Sequence, residues 1–221
     1  SNVLTNSNFI TVISRLKKGL VAHYLLDGNA HKIDGSRIKR ILYVGQFAFF
    51  KAPIVLARVI NELARLRDDV MFTWVCSAEH HEQARALLEP LCQPRVEFLD
   101  WMSQEELLEV YDQHGIFLFP SFFEGFGKAF MEAMARGLCV VAADNGGVRD
   151  VIQQGISGYK VPTGDVQAMS EACMRLIDNP DEAISVSEGA IETAHSYSWD
   201  RVAKETAGFY QSLLDNRKYA S

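Results

Sequence analysis

Residues 120–132 read Pro-Ser-Phe-Phe-Glu-Gly-Phe-Gly-Lys-Ala-Phe-Met-Glu. Gly125 and Gly127 bracket Phe126, and carboxylates stand at Glu124 and Glu132. The apolar run from Gly115 to Phe119 leads in and a short apolar helix is expected to follow. The turn therefore falls at a strand-to-helix junction. Such a junction presents bare backbone N–H groups at a helix N-terminus, where an anionic phosphate binds well. The glutamates add acceptors that can hold sugar hydroxyls. Phosphate together with polyol points to a nucleotide or a nucleotide-sugar.

The stretch resembles the Glu-x7-Glu signature of retaining glycosyltransferases with the GT-B fold, in particular glycosyltransferase family 4, the group 1 transferases. The likeness continues through Glu132-Ala-Met-Ala-Arg-Gly-Leu-Cys-Val-Val-Ala-Ala-Asp and Gly146-Gly147. It runs from about Arg40 to Tyr197 and covers only the C-terminal, donor-binding half of such an enzyme. The resemblance implies that Glu124 faces the donor sugar and that Glu132 binds the ribose 2′- and 3′-hydroxyls. It places the amides of Gly125, Phe126 and Gly127 at the β-phosphate, with Lys128 in the same donor-binding set. Charge develops on the leaving group there, so preorganised donors would stabilise the transition state. Taken locally, Glu132 could equally pair with Lys128 or Arg136 on its own helix. A carboxylate on so apolar a helix must emerge at solvent or a ligand, because an unpaired buried charge is costly.

A second loop, Gly45-Gln-Phe-Ala-Phe-Phe-Lys51, follows the first apolar run. A lysine there is a mobile point charge able to reach a diphosphate; an exposed lysine before a helix is otherwise simply solvated. Group 1 transferases carry Gly-Arg-x4-Lys-Gly at this place, so Gly45 and Lys51 match, while Gln46 replaces the arginine and Ala52 the glycine. The resemblance thus assigns Lys51 and Glu124 to catalysis and Gly45, Gln46 and Lys51 to the donor. The loop lacks Gly-x-Gly-x-x-Gly, which argues against NAD. Asp100-Trp101-Met102 stands where the family holds the nucleobase; Trp101 could lie on the base or pack on the next helix. Asp144-Asn145-Gly146-Gly147 matches a family loop near the donor sugar, with Asp150 in place of a glutamate. The donor implied is UDP- or GDP-linked, and no metal or other cofactor is implied, because amides, helix dipole and Lys51 meet the phosphate charge.

Other chemistry fits less well. His80 and His81 are adjacent, so their side chains diverge on a helix and make a poor chelate. His114 ends a helix, where a cation suits the dipole. No His-Glu-x-x-His, Ser-His-Asp arrangement or Cys₂His₂ spacing occurs. Cys76, Cys92, Cys139 and Cys173 are widely spaced, and Cys76 and Cys139 sit in apolar runs, which reads as buried free thiol and a reducing cytoplasm.

Those loops need elements to hold them. A chain of 221 residues with 48% apolar residues suits one domain plus a short attachment. No apolar run reaches the ~18–20 residues that span a bilayer. The net charge of −6 disfavours nucleic acid. Basic residues gather early, at Arg15, Lys17, Lys18, Lys32, Arg37, Lys39 and Arg40, and read either as a solvated face or as an arm touching anionic lipid. Strands are expected at 41–45, 70–76, 96–99, 116–119, 138–142 and 158–161. Between them fall helices at 53–66, 79–91, from Ser103 with a capping box to Glu106, and 127–136 closed by Gly137. Helices at 165–178, 180–196 and 199–214 finish the chain. The alternation specifies a Rossmann-like doubly wound parallel sheet of about six strands, the C-terminal half of a GT-B fold.

Residues 1–36 are read as a tag remnant, the end of an acceptor domain and a linker, with a helix from Phe9 to Leu26. Residues 37–196 form the nucleotide-sugar domain, and 197–221 a helix that packs on an N-terminal acceptor domain. Trp199, Phe209, Tyr210 and Leu213 are its packing side. The implied reaction moves a sugar from a nucleotide donor to a hydroxyl acceptor with retention. Polysaccharide, lipopolysaccharide or glycolipid synthesis on a lipid-linked glycan at the cytoplasmic membrane face follows by analogy. The rivals are a sugar-nucleotide epimerase or glycogen synthase on the same architecture, and a binding module without catalysis. This half alone is expected to bind nucleotide and turn over little or no substrate.

Overall fold

The computed structural model describes residues 33–197 and 199–217. The expected helix from Phe9 to Leu26 and most of the basic arm lie outside the described residues. Six strands, β1 (Arg40–Val44), β2 (Met71–Val75), β3 (Val96–Leu99), β4 (Ile116–Phe119), β5 (Cys139–Ala143) and β6 (Tyr159–Val161), form one sheet. Its order is β3-β2-β1-β4-β5-β6, and every pairing is parallel. The helices are α1 (Pro53–Leu66), α2 (His81–Ala86), α3 (Gln104–Asp112), α4 (Lys128–Ala135), α5 (Gly147–Val151), α6 (Val166–Asp178), α7 (Pro180–Ser196) and α8 (Trp199–Arg217).

Strand side chains alternate between two cores. Ile41, Tyr43, Phe72, Trp74, Ile116, Leu118 and Val141 share one cluster with Leu56, Ile60 and Leu63 of α1 and with Met169, Cys173 and Leu176 of α6. Leu42, Val44, Phe117, Phe119 and Val140 share the other with Phe130, Ala133 and Met134 of α4 and with Ala190 and Ala194 of α7. A sheet covered on both faces needs apolar residues at consecutive positions, which is why these strands read as unbroken apolar runs. The strand order reverses between β1 and β4. That switch point opens a crevice beyond their C-terminal ends, between the loops 45–51 and 120–128.

Several expectations are corrected. The second helix ends at Ala86 and does not reach Leu91, because Asn61 Oδ1 of α1 accepts from Glu89 N at 3.0 Å and diverts that amide from helical bonding. The short α5 was missed; five residues are too few for a helical period to show. His114 is no helix-capping cation. It is buried, with Nδ1 2.6 Å from Val110 O and Nε2 2.8 Å from Thr73 Oγ1, and burial lowers its pKa to about 4. Phe209 and Tyr210 keep the expected exposed face on α8. All four cysteines are buried free thiols, and burial pushes Cys76 up to about 11.

Among the described residues no helix is long and apolar enough to cross a membrane.

Candidate functional site

The loop after β1 ends in a short 3-10 turn, Phe49–Lys51, and Ala52 takes φ 54° before Pro53 starts α1. The preceding Gly45 is crowded: a Cβ there would lie 2.4 Å from the Tyr43 hydroxyl and would push that ring aside. Phe122 N donates to Phe50 O at 2.8 Å, and Phe123 N reaches the same carbonyl at 3.4 Å. These bonds fasten the loop after β1 to the loop after β4 across the switch point. The rings of Phe49 and Phe122 meet at a tilt, 5.4 Å apart, while Phe49 stays 82% and Phe123 75% exposed.

Between these loops Lys51 Nζ forms an ion pair with Glu124 Oε2, with the side chains 18% and 17% exposed. The ammonium also stands 5.5 Å from the centroid of the Phe119 ring. A Cβ on Gly127 would lie 3.1 Å from the far carbon of the same ring and 2.7 Å from Phe130. Lys51 and Gly127 thus both approach Phe119.

Gly127 has φ 92° and is the N-cap of α4; no side chain caps this helix and no acid sits in its first turn. Among the described residues the amides of Gly125, Phe126 and Gly127 donate no hydrogen bond. Open amides at a helix start are anion donors. The turn is held from behind. Gly147 N donates to Gly125 O at 2.9 Å, and Asn145 Nδ2 donates to Ser121 O at 2.7 Å. A Cβ on Gly146 would sit 2.1 Å from Glu124 O, so only glycine lets the loop after β5 press against this backbone. In front, Phe126 lies between Phe130 at 6.2 Å and Tyr197 at 6.4 Å.

Glu132 lies one helical turn beyond Lys128. It does not emerge at solvent. Its exposure is 7%, and Tyr111 of α3 donates its hydroxyl to Glu132 Oε2 at 3.2 Å. Burial holds the Glu132 carboxyl above its ordinary range, while the Lys128 charge and the Tyr111 bond pull it partly back. Arg136 does not pair with it; Arg136 Nε donates to Asp112 Oδ1 at 2.8 Å.

Of the remaining candidates, the Gln46 side chain makes no hydrogen bond among the described residues. Trp101 is 48% exposed at the end of β3. Met102 is half-buried against the cluster that holds Val44, Tyr111 and Phe130. Asp100 Oδ1 accepts from Ala78 N at 2.9 Å and from Trp101 N at 2.7 Å, tying the loops after β2 and β3 together. His81 Nε2 reinforces that tie, 3.1 Å from Cys76 O and 3.3 Å from Leu99 O. Tyr111 is the residue sequence reasoning missed, and the pairing of Asn145 with Ser121 also escaped it. Their partners lie far along the chain, and neither carries a local signal. Asp150 is exposed on α5, and its carbonyl lies 3.4 Å from the Tyr197 hydroxyl.

These residues offer open amides for an anion, a partly sheltered ammonium paired with the carboxylate that precedes them, and a second, buried carboxylate one turn into the helix. Among the described residues no group of three or more His, Cys, Asp or Glu could hold a metal ion.

Comparison with known proteins agrees in family and fold. The family described as glycosyl transferases group 1 matches residues 38–179. A D-inositol 3-phosphate glycosyltransferase of Corynebacterium glutamicum is 31% identical over 185 residues, which cover 80% of this chain and 44% of that protein. Anabaena HepE in complex with UDP superposes with TM-score 0.71 at 18% identity, covering 91% of this chain and 53% of that one. The C-terminal domain of a glycosyl transferase group 1 family protein from Francisella tularensis superposes with TM-score 0.66 at 15% identity, covering 76% of this chain and 95% of that one. The chain thus spans less than half the length of the curated relative.

Proposed function

The chain belongs to the group 1 glycosyltransferases, and we propose that it is the donor half of such an enzyme, binding a UDP- or GDP-sugar for retaining transfer to a hydroxyl acceptor. One observation carries this reading: the undonated amides of Gly125, Phe126 and Gly127 stand beside the Lys51–Glu124 pair. In this reading the diphosphate lies on the amides and draws the Lys51 ammonium from Glu124. Glu124 is then free to accept from a hydroxyl of the donor sugar. Negative charge grows on the β-phosphate as the glycosidic bond breaks, and the fixed amides with Lys51 stabilise it. No metal ion is called for in this reading, so binding should survive a chelator. Glu132 accepts from the ribose hydroxyls, and Trp101 with Met102 borders the base. The acceptor site belongs to an N-terminal domain, and the exposed Phe209 and Tyr210 are the surface it covers. A lipid-linked glycan at the cytoplasmic face of a membrane suits the exposed phenylalanines of the rim.

Thermal-shift measurement with UDP, GDP and ADP tests the reading, since a ligand that binds only the native state raises its melting temperature. UDP or GDP should raise it with EDTA present. Lys51→Ala should weaken the preferred nucleotide about tenfold, the usual scale for a lost ionic hydrogen bond. Wild-type protein that ignores all three nucleotides would sink the assignment.

A further inference from the structure

We infer that Lys128 supplies the second positive charge to the donor diphosphate, an inference that rests on the donor-site reading above and deepens it. Both phosphoryl groups of a nucleoside diphosphate ester are ionised at neutral pH, so a site built around one ammonium leaves charge unmet. The loops at the strand ends, 45–51, 76–79, 100–102, 121–128 and 144–149, contain as their lysines and arginines Lys51, Lys128 and Arg149. Two of these are committed. Lys51 is paired with Glu124. Arg149 is held by Asp144, Nε 3.2 Å from Oδ1 and Nη2 3.0 Å from the backbone oxygen. Lys128 joins no ion pair among the described residues.

Its place on the helix also favours an anion. Lys128 is the first residue of α4, where the helix end is already positive and no acid occupies the first turn; a cation there opposes the macrodipole. Helical side chains lean toward the N-terminus, which carries Lys128 over the turn of open amides. An anion seated on those amides would reverse the sign of the interaction. Lys128 then holds one phosphoryl group from the helix side while Lys51 holds the other from the β1 side. Glu132, the ribose candidate, lies one turn behind Lys128 and feels its charge.

The test is titration calorimetry of the 221-residue chain with UDP, UMP, GDP and GMP, on wild type, Lys128→Gln and Lys128→Arg. Lys128→Gln should weaken the diphosphate that wild type binds about tenfold and its monophosphate by less than about threefold. Lys128→Arg, which keeps the charge, should stay within about threefold of wild type. Equal losses for diphosphate and monophosphate, or an unchanged diphosphate affinity, would each overturn the inference. So would an arginine variant as weak as the glutamine one. Failure of the donor-site reading itself shows separately, as wild-type protein that binds neither diphosphate.

Discussion

Helices α3 and α4 follow β3 and β4 onto the same rim and begin in opposite ways. At α3, Ser103 Oγ accepts from Glu106 N at 3.3 Å and Glu106 Oε2 accepts from Ser103 N at 2.8 Å. Glu105 and Glu106 occupy its first turn. That end is closed by its own side chains and its own acids. At α4 the cap is a glycine with φ 92°, the first turn holds no acid, and the leading residue is a lysine. The second helix gives up the stabilisation the first one takes. A fold has reason to leave one helix start open when a ligand completes it, and the comparison therefore separates an end made for folding from an end made for binding.

The largest effect should come from spoiling the open end. Gly127→Ala forces a side chain into the left-handed region and 2.7 Å from the Phe130 ring, a combined cost of about 2–3 kcal/mol. Melting temperature and nucleotide affinity should fall together. Gly125 provides the control, since a Cβ there meets nothing within 4 Å. Gly125→Ala should keep the wild-type melting temperature yet weaken UDP or GDP several-fold, because the methyl group fills space the phosphate needs. Full affinity in Gly125→Ala, measured by calorimetry, would mean that the open amides are not the anion seat.

The two helix starts also show what a sequence discloses. The capping box is a local pattern, and so is the strand–glycine turn–helix of residues 115–136; both could be read directly. Strands β3 and β4 and helices α1 and α7 were legible for the same reason, as apolar runs or periods bounded by proline, glycine or a cap. What escaped depends on contacts between distant segments. The end of α2 is set by Asn61 on another helix. Tyr111 reads as one more apolar residue of α3 until the fold sets its hydroxyl against Glu132. The pairing of Lys51 with Glu124 and the clamp of Asn145 on Ser121 are likewise invisible along the chain. Sequence placed Glu132 on an apolar helix and required it to reach solvent or ligand. The fold offers a third solution, a buried phenol.

That solution sharpens the contrast, because a carboxylate kept buried for a ligand costs the ligand-free protein. The Glu132 pKa is raised by burial, so the native state holds its proton more tightly than the unfolded chain does. Stability linked to this group is therefore present below the unfolded carboxylate pKa and is lost as pH rises through the folded one. Glu132→Gln removes the charge and keeps the shape. Ligand-free protein carrying it should melt higher than wild type at pH 7, with the advantage fading as pH falls toward 4.5. The same variant should bind ribonucleotide about tenfold more weakly, with a smaller loss for the 2′-deoxy analogue. Equal losses for both analogues would remove the ribose from its role.

The smallest effect belongs to the closed end. Ser103→Ala deletes the side chain that accepts from Glu106 N and should cost about 1 kcal/mol of stability, the usual price of an N-cap. For a domain of this size that lowers the melting temperature by about 2–4 °C. Nucleotide affinity should move by less than about twofold, although Ser103 directly follows Trp101 and Met102 in the chain. The cap bonds inward to its own helix, so losing it frays the first turn of α3 without touching the open amides of α4. Calorimetry and thermal melts on this one variant should therefore disagree in kind with those on Gly125→Ala: a stability loss without a binding loss, set against a binding loss without a stability loss. If Ser103→Ala weakens UDP or GDP as strongly as it lowers the melting temperature, both helix starts serve the ligand and the division of labour drawn between them fails.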